Sequence, residues 1–172
     1  MSQTTISNPS VNPEIKPGPK PDTKSYGWVL VSIEEMIEES MYFCETFAHT
    51  LNVHHNTPAA TVFEQAHQDF LQEKQVLLNA IETYKTHPSQ QNDPLPKISP
   101  WEKPYAGYQH PATTLMDADY LMTESEAGLL VVKMIQVHHD FYDFLTQTQS
   151  SETSLKLVSV LKEYCSNCSH NR

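Results

Sequence analysis

The sequence predicts an all-α protein, a four-helix bundle made of two antiparallel helix pairs joined by a long Pro-rich crossover. Three observations carry that prediction. Four segments repeat apolar residues at three- and four-residue spacing, the period of one helix face, and no segment reads as a convincing strand. The segments fall into two close pairs. Between the pairs lies the run "KTHPSQQNDPLPKISPWEKPYAGYQHPATTLMDADYLM", with six prolines and no sustained periodicity.

The first helix is expected to begin near Ser25, in "SYGWVLVSIEEMIEESMYFCETFAHTLNV", with Leu30, Ile33, Ile37, Met41, Cys44, Phe47, Ala48 and Leu51 along one face. After "HHN", Thr57 can cap a second helix and Pro58, which has no amide hydrogen to leave unpaired, can open it. Its stripe runs through Phe63, Ala66, Phe70, Leu77, Ile81 and Tyr84, so the second helix folds back on the first. Thr123 and Glu126 in "TESE" form a capping box that launches "AGLLVVKMIQVHHDFYDFL" as the third helix. A turn at "TQTQSSET" leads to the fourth, "SLKLVSVLKEYCSNCSH", whose face carries Leu157, Val158, Leu161, Tyr164, Cys165 and Cys168.

The domain organisation follows. Residues 1–24 are rich in Pro, Ser, Thr and Asn and read as a disordered tail, 25–172 as one bundle domain, and about 86–122 as the crossover loop. A chain of 172 residues suffices for one domain with a real core. A formal charge of −10 argues against nucleic acid or an anionic membrane as partner, because both attract a basic face. No apolar run is long enough for a membrane span, and the N-terminus lacks the apolar centre of a signal peptide, so a soluble cytoplasmic protein is expected. Three cysteines offer no disulfide framework and suit a reducing compartment.

The two halves look alike: "MYFCETFAHTL" in the first helix parallels "HDFYDFLTQTQ" in the third, each followed by a polar turn and another helix. Over roughly residues 28 to 170 the chain resembles the rubrerythrin-like branch of the ferritin-like superfamily, in which each half carries a Glu, a Phe-Tyr pair about one heptad later, a turn, and a Glu-x-x-His helix. That resemblance implies a bundle with a single long crossover and a carboxylate-bridged di-iron or di-manganese centre handling ferrous iron, dioxygen or peroxide. Phe141 and Tyr142 match the pair, but the Glu expected seven residues before the Tyr is Ile135; in the first half the pair is Phe43 and Cys44, and the expected Glu is Ile37. Both bridging carboxylates of the family pattern are aliphatic here.

Other acids do not restore the pattern. Glu35 precedes Tyr42 by seven residues and "EQAH" supplies Glu64-x-x-His67, but at 100° per residue Glu35 lies opposite the Ile37/Cys44 stripe and Glu64 lies off the Phe63/Ala66/Phe70 stripe. Both read as solvated, with His67 at the flank of the core. The polar or reactive residues that fall within the stripes are Cys44, Glu73, His138, Cys165 and Cys168, with Tyr142 at the edge.

A carboxylate buried alone is costly, so an interior Glu73 needs a cation, a hydrogen-bond partner or a proton. Glu73, His138, Cys165 and Cys168 are the candidate metal ligands: one acid, one imidazole and two thiolates can hold a single zinc or iron ion, and in registration against the family the two cysteines occupy roughly the places of the helix-four Glu and His. Each has an alternative. Glu73 can reach solvent at an edge, His138 can be a hydrogen-bonded core imidazole, and the Cys-x-x-Cys pair can be structural or redox-active. Cys44 reads as plain core; His54 and His55 lie in a turn and His139 faces outward; Trp101, Tyr105 and Tyr108 read as pins that hold the crossover to the bundle.

Three classes of function remain. The first is a ferritin-like metalloprotein with an altered site. The second is a metal-free bundle that serves as an interaction module, and a homodimer is expected because ferritin-like bundles often pair. The third is a hemerythrin-like His-rich sensor, which would need inward histidines on all four helices.

Overall fold

The computed structural model describes residues 25–84 and 118–170, with side chains as far as Cys168. The expected tail and most of the expected crossover, with Trp101, Tyr105 and Tyr108, lie outside the described residues. Within them the protein is all-helical and bundle-like: α1 (Tyr26–Val53), α2 (Thr57–Tyr84), α3 (Glu124–Thr148) and α4 (Glu152–His170), with no strand among the described residues. None of these helices is long and apolar enough to cross a membrane.

The helix ends are set by local chemistry. Ser25 is extended, and its hydroxyl accepts from the Trp28 amide at 3.1 Å, satisfying one of the donors that a helix start leaves orphaned. At the start of α3, the Thr123 hydroxyl accepts from the Glu126 amide at 3.2 Å while the Glu126 carboxylate accepts from the Thr123 amide at 2.7 Å, the reciprocal bonds of the expected capping box. The second helix starts one residue earlier than expected. Asn56 supplies the first carbonyl, to the Ala60 amide, so Thr57 is already helical and Pro58 stands one position further in, still within the first turn where it forfeits no bond.

The turn between α1 and α2 is closed by two bonds, from the Asn56 amide to Leu51 O (2.8 Å) and from the His55 amide to Asn52 O (3.0 Å). This pair of bonds makes a Schellman closure with His55 as its left-handed residue, at φ 59°. Asn56 also donates from Nδ2 to the carbonyls of Tyr120 (3.1 Å) and Met122 (2.7 Å), and the Tyr120 ring stacks on His54 at 4.6 Å. The residues just before α3 are thereby fastened to the α1–α2 turn.

α1 packs chiefly on α2 and α3 on α4, and α2 also touches both α3 and α4. The apolar side chains form two clusters. One holds Cys44, Leu51, Phe63, Phe70, Val131 and Met134. The other holds Ile33, Ile37, Leu77, Phe141, Leu157 and Leu161. The members of each stripe predicted for α1 to α4 are buried or half-buried, because helices of this spacing can remove one face from water only by turning it to a neighbour. Between the clusters in sequence lie Ser40, Glu73 and His138, three buried polar side chains on three helices.

His55 offers a direct check on the turn. A β-carbon in the left-handed region costs about 1–2 kcal/mol, which Gly avoids at some cost in chain entropy. His55→Gly should therefore raise stability by about 0.5–1 kcal/mol, measured as a higher urea midpoint with unchanged slope.

Candidate functional site: a buried Glu–His–Tyr–Cys cluster

Glu73 stands in the inward stripe of α2 between Phe70 and Leu77, and its side chain is 1% exposed. Helical spacing dictates this burial, since Glu73 follows Phe70 by three residues and precedes Leu77 by four. The same spacing puts His138 and Tyr142 one turn apart on the inner face of α3, both fully buried, and Cys165 on the inner face of α4 at 2% exposure. Tyr142, expected at the edge of its stripe, is among the largest fully buried side chains.

All three partners converge on the Glu73 carboxylate. His138 Nδ1 lies 3.1 Å from each carboxylate oxygen, the Tyr142 hydroxyl donates to Oε1 at 2.6 Å, and the Cys165 thiol donates to the same oxygen at 3.3 Å. On the far side of the ring, His138 Nε2 meets the Ser40 hydroxyl at 2.8 Å, and that hydroxyl also lies 2.9 Å from Met36 O. The Phe70 ring packs against the imidazole at 4.9 Å. With the Ser40 hydroxyl donating to Met36 O, its oxygen is left to accept from His138 Nε2.

The electrostatics follow from burial and from these bonds. Burial alone pushes the Glu73 carboxyl up, but the charge and hydrogen bond of His138, with the bonds from Tyr142 and Cys165, outweigh it and hold the group below the usual carboxylate range. The Cys165 thiol is pushed far up by burial and then by the Glu73 charge beside it. The Tyr142 phenol is pushed well up by burial, the Glu73 charge and Cys165. In the metal-free protein the thiol and the phenol therefore stay protonated and act as donors to Glu73.

The structure brings together three of the four candidate ligands. Glu73, His138 and Cys165 each offer a ligand atom, and these atoms lie within 4.8 Å of one another. Cys168 is not part of that group; it is half-buried one turn further along α4 and packs beside the other apolar cluster. Cys44 is buried core, Glu64 is exposed, and Glu35 and His67 are half-exposed away from the cluster. Ile37 and Ile135, where the family pattern has bridging carboxylates, are buried among apolar side chains. Sequence periodicity placed Tyr142 at the edge and did not single out Ser40 at all. Their positions one helical turn from His138 and from Cys44 were the available signals.

No protein-family model matches the chain, and no curated protein or solved structure does.

The cluster binds its parts strongly. Removing the carboxylate leaves three buried donors without their acceptor, and breaking a buried charged pair costs about 3–5 kcal/mol. Because the folded carboxyl lies below its unfolded value of ~4.3, the unfolded chain takes up the proton first as pH falls. The contribution of Glu73 is then fully present above that value and is lost as pH falls through the folded one. Guanidinium midpoints of the metal-free protein should drop in acid, and the drop should be shallower in Glu73→Gln, which is less stable at neutral pH. An equally steep acid drop in the variant would show that Glu73 is not the titrating group.

Proposed function

We propose that the chain is a ferritin-like four-helix bundle and that Glu73, His138 and Cys165 hold a single zinc or iron ion within it. The observation that carries this reading is the convergence of one carboxylate, one imidazole and one thiol from three different helices on a single buried point. Such a donor set suits a borderline-soft ion. It also fits the requirement that metal-bound imidazoles have a partner on their other nitrogen, which Ser40 offers to His138. Both bridging positions of the family pattern are aliphatic here, Ile37 and Ile135, which favours a mononuclear site over the family's dinuclear one.

The bundle topology belongs to the same proposal. In it α1 pairs antiparallel with α2, and α3 with α4. Asn52 bonds Glu64 near the turn, Glu38 pairs with Lys74 at 2.6 Å further along, and Asp143 pairs with Lys162 across the second pair, which supports that arrangement. α2 and α3 then run the same way, since Asn56 before α2 holds Met122 before α3. A cytoplasmic setting suits three cysteines that form no disulfide.

Bound there, a zinc or ferrous ion supplies Lewis acidity, and iron adds one-electron chemistry. The chain's own residues hold the ion, exclude bulk water and orient His138 through Ser40. Glu73 stays ionised, and Tyr142 keeps a proton at its hydroxyl that steers the carboxylate.

The second reading is a metal-free bundle that acts as an interaction module, with a homodimer as its simplest assembly. It is favoured by the cluster's closure on itself without an ion, and by Leu121, Leu129 and Val132, which are 73%, 62% and 42% exposed at one end of α3. Elemental analysis of protein purified without chelator or added metal separates the two. The expected result is about one zinc or iron per chain, lost in Glu73→Ala and in Cys165→Ala. Metal-free protein that folds, dimerises and takes up neither ion on dialysis would sink the first reading.

A further inference from the structure

The buried cluster is thinly covered on one side. Cys165 lies within the last turn and a half of α4, and the side chains that flank it there, Tyr164 just before and Cys168 one turn on, are both half-buried. Across the seam on α2, Asp69 is half-buried too. Elsewhere the cluster meets the buried side chains of Met36 on α1, Phe70 on α2, and Met134 and Phe141 on α3.

A single hydroxyl closes the seam at that level. Tyr164 donates to Asp69 O at 2.8 Å. Asp69 stands one turn before Glu73, and the helical pattern assigns that same carbonyl to the Glu73 amide. The bond therefore pins the neighbour of Cys165 to the turn that carries Glu73. Beneath it the Cys165 thiol, a weak donor, reaches Glu73 Oε1 at 3.3 Å.

Helix ends open first. The last carbonyls of a helix have no partner within it, so its final turns fray and reclose far more often than a whole domain unfolds. Tyr164 and Cys165 stand on such a segment, whereas Cys44, also buried, lies well inside α1.

We propose that the C-terminal turns of α4 form a gate to the cluster and that Tyr164 is its latch. Closed, the latch keeps solutes from Glu73 and Cys165. Open, it admits a small solute between α2 and α4. The gate stands on the packing alone; the passage of a metal ion through it rests on the metal-binding reading above. Tyr164 is a positioning residue, acting on the cluster through Asp69.

The test uses the metal-free full chain with Cys168→Ser in every sample, so that alkylation of the half-buried thiol cannot prop the gate open. Reaction of Cys165 and Cys44 with N-ethylmaleimide is followed by peptide mass spectrometry. Cys165 should react at least about 10-fold faster than Cys44. Low urea should speed Cys44 and barely change Cys165, because the gate exposes little surface. Tyr164→Phe should raise the Cys165 rate about five-fold. Ala48→Gly, which weakens α1 in its interior, should raise the Cys44 rate and leave that of Cys165 unchanged. The gate is overturned if Cys165 reacts no faster than Cys44, if Tyr164→Phe leaves its rate unchanged, or if Ala48→Gly speeds both thiols alike.

A second arm keeps Cys168 and follows zinc uptake and its release to a chelator. Tyr164→Phe should speed both steps about five-fold while the affinity changes less than about three-fold. Unchanged zinc rates would overturn the passage of the ion. If the chain binds neither zinc nor ferrous iron, the metal-binding reading falls and the alkylation rates still decide the gate.

Discussion

The structure depends on a carboxylate placed where water cannot reach it. Glu73 occupies a stripe position that its neighbours Phe70 and Leu77 commit to the interior, so α2 cannot bury its apolar face without burying the acid too. An ionised carboxylate in that setting is tolerable only with donors on it, and α3 and α4 supply them: an imidazole at 3.1 Å, a phenol at 2.6 Å and a thiol at 3.3 Å. One acid thus sets the register of three helices against each other, because a shift of either partner helix by one residue would turn its donor away.

Ser40 extends that constraint to α1. Its hydroxyl can serve His138 and the Met36 carbonyl, so the imidazole is satisfied at both nitrogens and all four helices contribute to one hydrogen-bonded layer. Apolar clusters lie on either side of the layer. A polar layer of this kind contributes little net stability compared with a well-packed apolar one, but wrong packings are heavily penalised because they leave buried donors unpaired. The same convergence of carboxylate, imidazole and thiol is what the proposed metal site rests on.

Much of the fold was legible in the residues. The 3.6-residue period, the Ser25 and Thr123 caps and the "HHN" turn located four helices to within a few residues. The boundary of α2 moved by one residue because Asn56, rather than Thr57, supplies the first carbonyl while its side chain ties down Tyr120 and Met122. That tie joins residues more than sixty apart, and no local signal encodes it. The site was legible as a set of intruders: Glu73, His138 and Cys165 stood out as polar or reactive residues within apolar stripes. Cys168 satisfied the same criterion and lies apart, because facing inward does not fix which level of the bundle a residue occupies.

Sequence by itself determined which side chains are removed from water. A helix has one face to bury, and the spacing of apolar residues names that face and most of what lies on it, Glu73 included. Tertiary structure alone decided what Glu73 meets there, since the contacts to His138, Tyr142 and Cys165 span 65 to 92 residues and depend on the level at which each helix packs against its neighbours. Periodicity gives the angle of a residue about its own axis and says nothing of height along a neighbour's. Tyr142, judged by angle, stood at the edge; judged by the helices packed round it, it stands at the centre.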